Sequence, residues 1–275
     1  MLDRRSLFFA AAAAAGSATL AAADRPAAKK PLPRQIPPTV RNTRGKIIYI
    51  GDEEQERGRE WFSYTYREDG QVTLRAYCEM DDIRVQRDIV QTMTSRFAPL
   101  DCFCRLSVMG KFAGTGWIRV TDTEAECEVF STTLGRVHQT VALAMPAPTM
   151  VSHPLISDAL LMSTFDHGKP DKVQYSEGGL STSPLLDGAS GPMLSVGGRR
   201  GTEYLGQEKI TTAAGTFDTH HYRMLMNGRR ADGTATGYEI WCTHPDYIFI
   251  KGEVRGYLTN KTGYGRYELT EFETL

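Results

Sequence analysis

Cysteine is scarce in this 275-residue chain, and none of it falls in a metal-binding or redox spacing. The five cysteines are Cys78, Cys102, Cys104, Cys127 and Cys242. An odd number cannot all pair within one chain, and five in this length is no disulfide scaffold. There is no CxxC. In Cys102-Phe103-Cys104 the two sulfurs fall on one face of a strand, where they are expected to line a core as small hydrophobes. None of the six histidines sits in an HExxH pattern, so no metal ion and no cofactor is expected. A GxSxG elbow, a phosphate-cradling glycine loop ahead of a helix and a dinucleotide fingerprint are all missing. Charge of one sign is missing too: 32 Lys and Arg face 33 Asp and Glu, which argues against a nucleic-acid partner. Beyond residue 23 no apolar run approaches the ~20 residues that span a bilayer, and no repeat of 20 to 50 residues is visible.

What is there begins at the N-terminus. Asp3-Arg4-Arg5-Ser6-Leu7-Phe8-Phe9 opens an alanine-dominated apolar run that ends in Ala21-Ala22-Ala23. A basic start, an apolar middle and a small-residue cleavage site predict an export signal over 1–23. The arginine pair before a mildly apolar run predicts the twin-arginine route, and with it a periplasmic protein. Residues 24–44, rich in Pro, Lys, Arg and Ala, read as a disordered linker. Residues 45–275 remain as a single β-rich domain.

Within that domain the hydrophobic period is two. In Val72–Met80 and Cys102–Val108 the even positions are apolar, and Glu124–Val129 alternates strictly. Turn signals such as Glu68-Asp69-Gly70 and Met109-Gly110-Lys111 separate the runs. Residues 46–144 therefore read as a meander of seven or eight half-buried antiparallel strands. The pattern changes at Pro146-Ala147-Pro148. A helix is predicted over 153–165, wide in its apolar face and so buried against a sheet. A long Gly-, Ser- and Pro-rich loop follows over 166–200, with a short strand expected around Val173–Tyr175. Strands resume over Glu203–Ile210, Thr216–Met226, Tyr238–Thr243, Tyr247–Tyr257 and Arg266–Phe272. The fold class is mainly β: a large curved antiparallel sheet, a half-barrel, wrapped around one central helix.

The second meander carries a resemblance. Gly206-Gln207-Glu208-Lys209-Ile210 followed by Ala214-Gly215-Thr216-Phe217-Asp218 resembles the signature hairpin of exported bacterial proteins grouped as a domain of unknown function. In that family a Trp-bearing strand, a strand with a basic residue and a closing Tyr-x-Leu strand follow, matched here by Trp241, Lys251 and Tyr267-Glu268-Leu269. The resemblance covers roughly 200–273. It implies a large antiparallel sheet around a helix, similar to lipoprotein-carrier (LolA/LolB-like) half-barrels, and no established activity.

The richest cluster for chemistry is Asp218-Thr219-His220-His221-Tyr222-Arg223. On a strand Asp218, His220 and Tyr222 share one face, and Thr219, His221 and Arg223 the other. A histidine beside a carboxylate and a phenol is a unit of acid–base catalysis; an exposed cross-strand polar ladder is the competing reading. His153 and His167 flank the helix at loop junctions, where binding residues concentrate. Two functions follow. In one, the protein binds a hydrophobic small molecule, lipid or acyl chain between sheet and helix. In the other, it is a cofactor-independent lyase, isomerase or hydratase using His220 or His221 with Asp218, Tyr222 or His153. Convergence of His153, His167 and one of the paired histidines in one pocket would favour the enzyme.

Overall fold

The computed structural model describes residues 38–184, 192–225, 236–256 and 263–275. The export signal expected over 1–23 lies outside the described residues, as does the expected linker up to residue 37. The remainder of that linker is not one. Strand β1 runs Thr39–Ile50, so Thr39–Arg44 belong to the sheet. Polar composition hid this. These residues pair with β2, Thr43 and Arg44 pair with β17 as well, Thr43 lying opposite Tyr64 on one side and Thr274 on the other, and Arg41 grips Asp246 with two 2.7 Å bonds.

Seven strands follow β1 as a meander: β2 (Glu56–Arg67), β3 (Val72–Met80), β4 (Val85–Met93), β5 (Pro99–Val108), β6 (Lys111–Val120), β7 (Glu124–Ser131) and β8 (Gly135–Ala142). The middle of the chain holds β9 (Met150–Val151), helix α1 (Leu155–Ala159) with a 3-10 continuation (Leu160–Thr164), β10 (Val173–Ser176), β11 (Leu180–Ser181) and β12 (Ser195–Val196). The second meander is β13 (Arg200–Thr212), β14 (Gly215–Leu225), β15 (Gly237–Cys242), β16 (Phe249–Arg255) and β17 (Tyr264–Thr274). One sheet of 14 strands takes the order β10-β13-β14-β15-β16-β17-β1-β2-β3-β4-β5-β6-β7-β8. The pairing of β17 with β1 zips the two meanders together. Edges β8 and β10 stay apart, so among the described residues the sheet is not closed into a barrel.

The helix is shorter than its apolar pattern suggested. Only Leu155–Ala159 is α-helical. Beyond it the Ser163 and Thr164 hydroxyls donate to the carbonyls of Leu160 (2.6 Å) and Leu161 (2.9 Å) three residues back. Such back-bonds compete with the regular ladder, and the turn tightens. Leu155, Ile156, Leu160, Leu161, Met162 and Phe165 are buried in one cluster with β1–β3 on one side and β14–β17 on the other. Both meanders touch the same helix, so the sheet curves around it.

The helix is anchored by a residue the hydrophobic pattern does not reveal. Glu60, fully buried on β2, accepts the backbone N–H groups of Leu155 (2.7 Å) and Ile156 (2.8 Å) and the hydroxyl of Tyr49 (2.6 Å). These are first-turn donors that a helix leaves unsatisfied, and here the sheet supplies the cap. Burial pushes the Glu60 carboxyl up to about 7.

The stretch read as loop 166–200 contains β10, β11 and β12, and β10 includes the short strand expected at Val173–Tyr175. Strands β9, β11 and β12 make a small three-stranded sheet. Its Met150 and Leu180, with Leu194, pack on Ile89, Cys102, Cys104, Ile118 and Cys127. It is a lid of core over the inner face of β4–β7, which would otherwise expose its apolar side. All five cysteines are buried and free. Among the described residues no helix is long and apolar enough to cross a membrane.

Candidate functional site

The hairpin β13–β14 turns at Ala213-Ala214, with Thr212 opposite Gly215. Farther down, its register shifts between Tyr204 and Gly206, and Gly206 holds φ +130°. A side chain there would be strained, so glycine permits this bulge. The bulge resets parity. Tyr204 opposes Tyr222 and Gln207 opposes His220, and these four side chains gather on one side although 204 and 207 differ by an odd number. The Gln207 amide then lies 2.9 Å from His220 Nε2.

Two further histidines reach this face from distant segments. His167 follows the 3-10 turn. Its loop is fixed by Gln174 on β10, whose side chain accepts from the Asp166 N–H (2.9 Å) and donates to the Asp166 carbonyl (2.8 Å). His244 lies in the turn after β15, which closes with Tyr247 N–H to Thr243 carbonyl (3.1 Å) and Ile248 N–H to the Thr243 hydroxyl (3.0 Å). The ring centres of His167, His220 and His244 stand 4.9, 5.0 and 5.3 Å apart. His167 Nε2 lies 2.8 Å from the hydroxyl of the fully buried Tyr222. Phe165, Tyr204 and Tyr247 complete an aromatic surround.

Desolvation, then the neighbouring His244, lowers the pKa of His167; desolvation, then His167 and His244, lowers that of His220. Both rings are thereby biased to the neutral form, which can accept a proton or offer a lone pair. His220 Nδ1 is buried without a hydrogen-bond partner. Beside the cluster opens a pocket of about 350 Å³ whose lining includes His220, His244, Gln207, Lys209 and Asp218. Its carboxylates and lysine make it suited to a small polar ligand.

The five residues singled out in the sequence do not all meet here. His220 and Tyr222 are in the cluster. Asp218 lines the same pocket, but its carboxylate is taken by Lys209 rather than by a histidine. His221 faces the other side of β14. Its Nε2 lies 2.8 Å from Glu239, its Nδ1 lies 3.1 Å from Glu208, and its ring stacks on Trp241 at 4.0 Å. Arg223 continues that row by pairing with Glu239 (2.9 Å) and Glu203 (3.0 Å). This is the cross-strand polar ladder. His153, at φ +78°, lies 3.2 Å from the Ser181 hydroxyl and takes no part in the cluster. So His167 and one of the paired histidines converge, His153 does not, and His244 takes the third place. Nothing in its Thr-His-Pro-Asp context marked His244 beyond its residue type; only the β15–β16 turn brings it in.

A second depression, of about 680 Å³, lies between the Met145–Pro148 segment, Tyr175–Glu177 and the end of the 3-10 turn, with Arg96 and Arg199 at its rim. Arg199 stacks over Tyr175 at 3.8 Å.

No family model matches the sequence, and no curated protein matches it. Among solved structures, the chain is similar to a β-barrel-like protein of a domain of unknown function from Brucella abortus, at 8% identity and TM-score 0.47, covering 87% of this chain and 99% of that one. It is also similar to a putative exported protein with a YmcC-like fold from Bacteroides fragilis, at 8% identity and TM-score 0.38, covering 86% and 98%. A putative outer membrane lipoprotein-sorting protein domain from Vibrio parahaemolyticus aligns at 8% identity and TM-score 0.23, over 85% of each chain.

Proposed function

We propose that the protein acts outside the cytoplasm as a small-molecule-binding protein, and that its ligand is polar and docks on His220 and His244. The export signal read from Arg4-Arg5 and the alanine run supports the location. The observation that carries the binding site is a pocket lined by His220 and His244, with the ring of His167 packed against both from a third segment. Polar groups converging on a concavity are what fixes a small ligand. A hydrophobic chain between sheet and helix is less well supported. That space already holds Leu155, Ile156, Leu160, Leu161 and Met162, each no more than 7% exposed, and a chain could enter only by expelling the helix.

The hydrophobic-ligand reading keeps one observation in its favour, the depression floored by Met145, Pro146, Ala147 and Pro148. A lipid or acyl chain would lie there, at the mouth of the fold. An acid–base enzyme, a lyase, isomerase or hydratase, would use the polar pocket instead, with His220, which lines it, as the proton-moving group.

Native mass spectrometry of the mature protein from its own host's exported fraction separates these. A polar adduct lost in His220→Ala and His244→Ala supports the polar pocket. A hydrophobic adduct that survives both substitutions and is lost when Ala147→Glu fills the depression overturns it.

A further inference from the structure

We infer that strand β8 is a dimerisation edge: two copies of the chain pair through it, antiparallel about a twofold axis at Gln139, and their 14-stranded sheets join into one. The partner is a second copy because the backbone, the side-chain register and the charges of this edge complement themselves.

The backbone comes first. β8 ends the sheet order, and among the described residues no strand pairs with its outer side. Its register against β7 runs without a shift from Gly135 opposite Ser131 to Ala142 opposite Glu124. The Leu143 N–H donates to the Thr123 carbonyl at 2.8 Å, and an antiparallel ladder alternates from there. The odd-numbered residues of β8 therefore bond to β7, and the N–H and C=O groups of Arg136, His138, Thr140 and Ala142 point away from it. Native edges are blunted by proline, lysine, bulges, inward-pointing charge or shortness. β10, at the opposite edge, is kept to the four residues Val173–Ser176. β8 has eight residues, no proline, no lysine and no bulge, and its inward side chains are Val137, Gln139 and Val141. An edge left so open is a template for pairing.

The side chains select the partner. Antiparallel pairing about Gln139 sets Arg136 opposite Ala142, and His138 opposite Thr140, of the second copy. All the outward backbone groups are then used, in about eight main-chain bonds; sliding the register by two residues strands Arg136 or Ala142. On the inward face Val137 meets Val141. Gln139 meets its own copy, uncharged and held to the Leu194 backbone at 3.0 and 3.2 Å. On the outward face Glu126 pairs with Arg119 at 3.0 Å and Glu128 with His138 at 2.8 Å, whereas Glu124 and Arg136 form no ion pair among the described residues. Glu124 lies opposite Ala142. In the dimer Arg136 therefore stands two strand spacings, about 10 Å, from Glu124 of the second copy, across a small alanine. Two long side chains close that gap, and the twofold axis makes the pair twice.

Sedimentation equilibrium of the mature protein tests this, and a monomer–dimer equilibrium is the expected result. Thr140→Pro removes an outward N–H and spares the bonds to β7, and proline is accommodated on the solvent side of an edge strand. It should weaken the dimer at least about tenfold, since symmetry removes two bonds, with circular dichroism unchanged. Arg136→Glu and Glu124→Arg should each weaken it about tenfold, and the double variant, its charges exchanged, should restore it. That recovery is a result no misfolded variant gives. A single monomeric species at every concentration overturns the inference and leaves the edge to a strand of another protein. A dimer indifferent to Thr140→Pro lies on another face and overturns it too. Open-ended assemblies abolished by Thr140→Pro would mean that β8 pairs with an unlike edge, a contact that does not close, and the twofold pairing falls.

Discussion

His167 Nε2 stands 2.8 Å from the hydroxyl of Tyr222, tying the segment after the helix to the centre of β14 across 55 residues of chain. Tyr222 is fully buried, and this contact lets its hydroxyl avoid an unmet bond. Such bonds contribute about 0.5–1.5 kcal/mol net. Tyr222→Phe and His167→Ala should each lower stability by about 1 kcal/mol. The double variant should cost less than their sum, by a coupling on the order of 1 kcal/mol. Urea denaturation of the four proteins measures this. Strict additivity would show that the contact does not hold the loop in place.

Glu60 makes stability depend on pH in a stated direction. Its carboxyl is raised to about 7 by burial, and Asp158, which accepts from Tyr238 at 3.0 Å, is raised to about 7 by the same cause. Unfolded, both titrate near 4. Between about pH 4 and 7 the folded chain therefore holds more protons than the unfolded one, and stability falls as pH rises. It is fully present below the unfolded values and lost by the time pH passes 7. Each buried acid accounts for a change on the order of 3 kcal/mol. Denaturation midpoints at pH 5, 6, 7 and 8 should decline in the native sequence. Glu60→Gln should be the less stable protein at pH 5, and the gap should narrow toward pH 8. A flat or rising native profile would contradict the assignment.

The sheet was legible because its evidence is local. Alternation over Val72–Met80, Cys102–Val108 and Glu124–Val129 placed strands whose inner positions are now the core, and the strands expected over Glu203–Ile210 and Thr216–Met226 pair as the β13–β14 hairpin. The helix ends and the first strand were harder. Ser163 and Thr164 tighten the helix through their own hydroxyls, and Thr39–Arg44 are strand because β2 turns back to pair with them, joined at Thr43 and Arg44 by β17 from the far end of the chain. The site was half legible for the same reason. Period two put His220 and Tyr222 together, but Gln207 joined them through a bulge, and His244 through a turn 24 residues away. No pattern in one segment announces a contact made by three.

His220 and His221 are neighbours in sequence and should behave as opposites. His221 is clamped between Glu208 and Glu239 and stacked on Trp241. Removing it leaves two carboxylates facing each other beside Arg223, so His221→Ala should lower stability by about 1 kcal/mol while ligand retention at the pocket is unchanged. His220→Ala removes an unpartnered nitrogen and should cost less stability but abolish retention. Melting temperature and native mass spectrometry on the same two samples test the split. Loss of ligand in His221→Ala with retention in His220→Ala would place the functional face on the wrong side of β14.

Arg87 offers the last test, because its guanidinium is buried where charge is poorly compensated. Arg87 is 1% exposed on β4, Nη1 lacks a hydrogen-bond partner, and among the described residues no carboxylate lies within 4.0 Å of it. Its cross-strand neighbours are Cys78 and Leu106, and Gln91 on the same strand face also has an orphaned oxygen. A buried charge without a counter-charge costs several kcal/mol in desolvation, whereas its aliphatic stem packs like any apolar chain. The two contributions can be separated by shape. Arg87→Met keeps most of the volume and removes the charge, so it should leave stability equal or raise it by roughly 1–3 kcal/mol. Arg87→Ala removes both and leaves a cavity, which costs about 2–5 kcal/mol for a large buried side chain. It should therefore be clearly less stable than Arg87→Met. Chemical denaturation of both variants decides. If Arg87→Met is destabilised as much as Arg87→Ala, the guanidinium itself is satisfied in the folded protein, by buried water or a bound anion, and the charge belongs to the architecture.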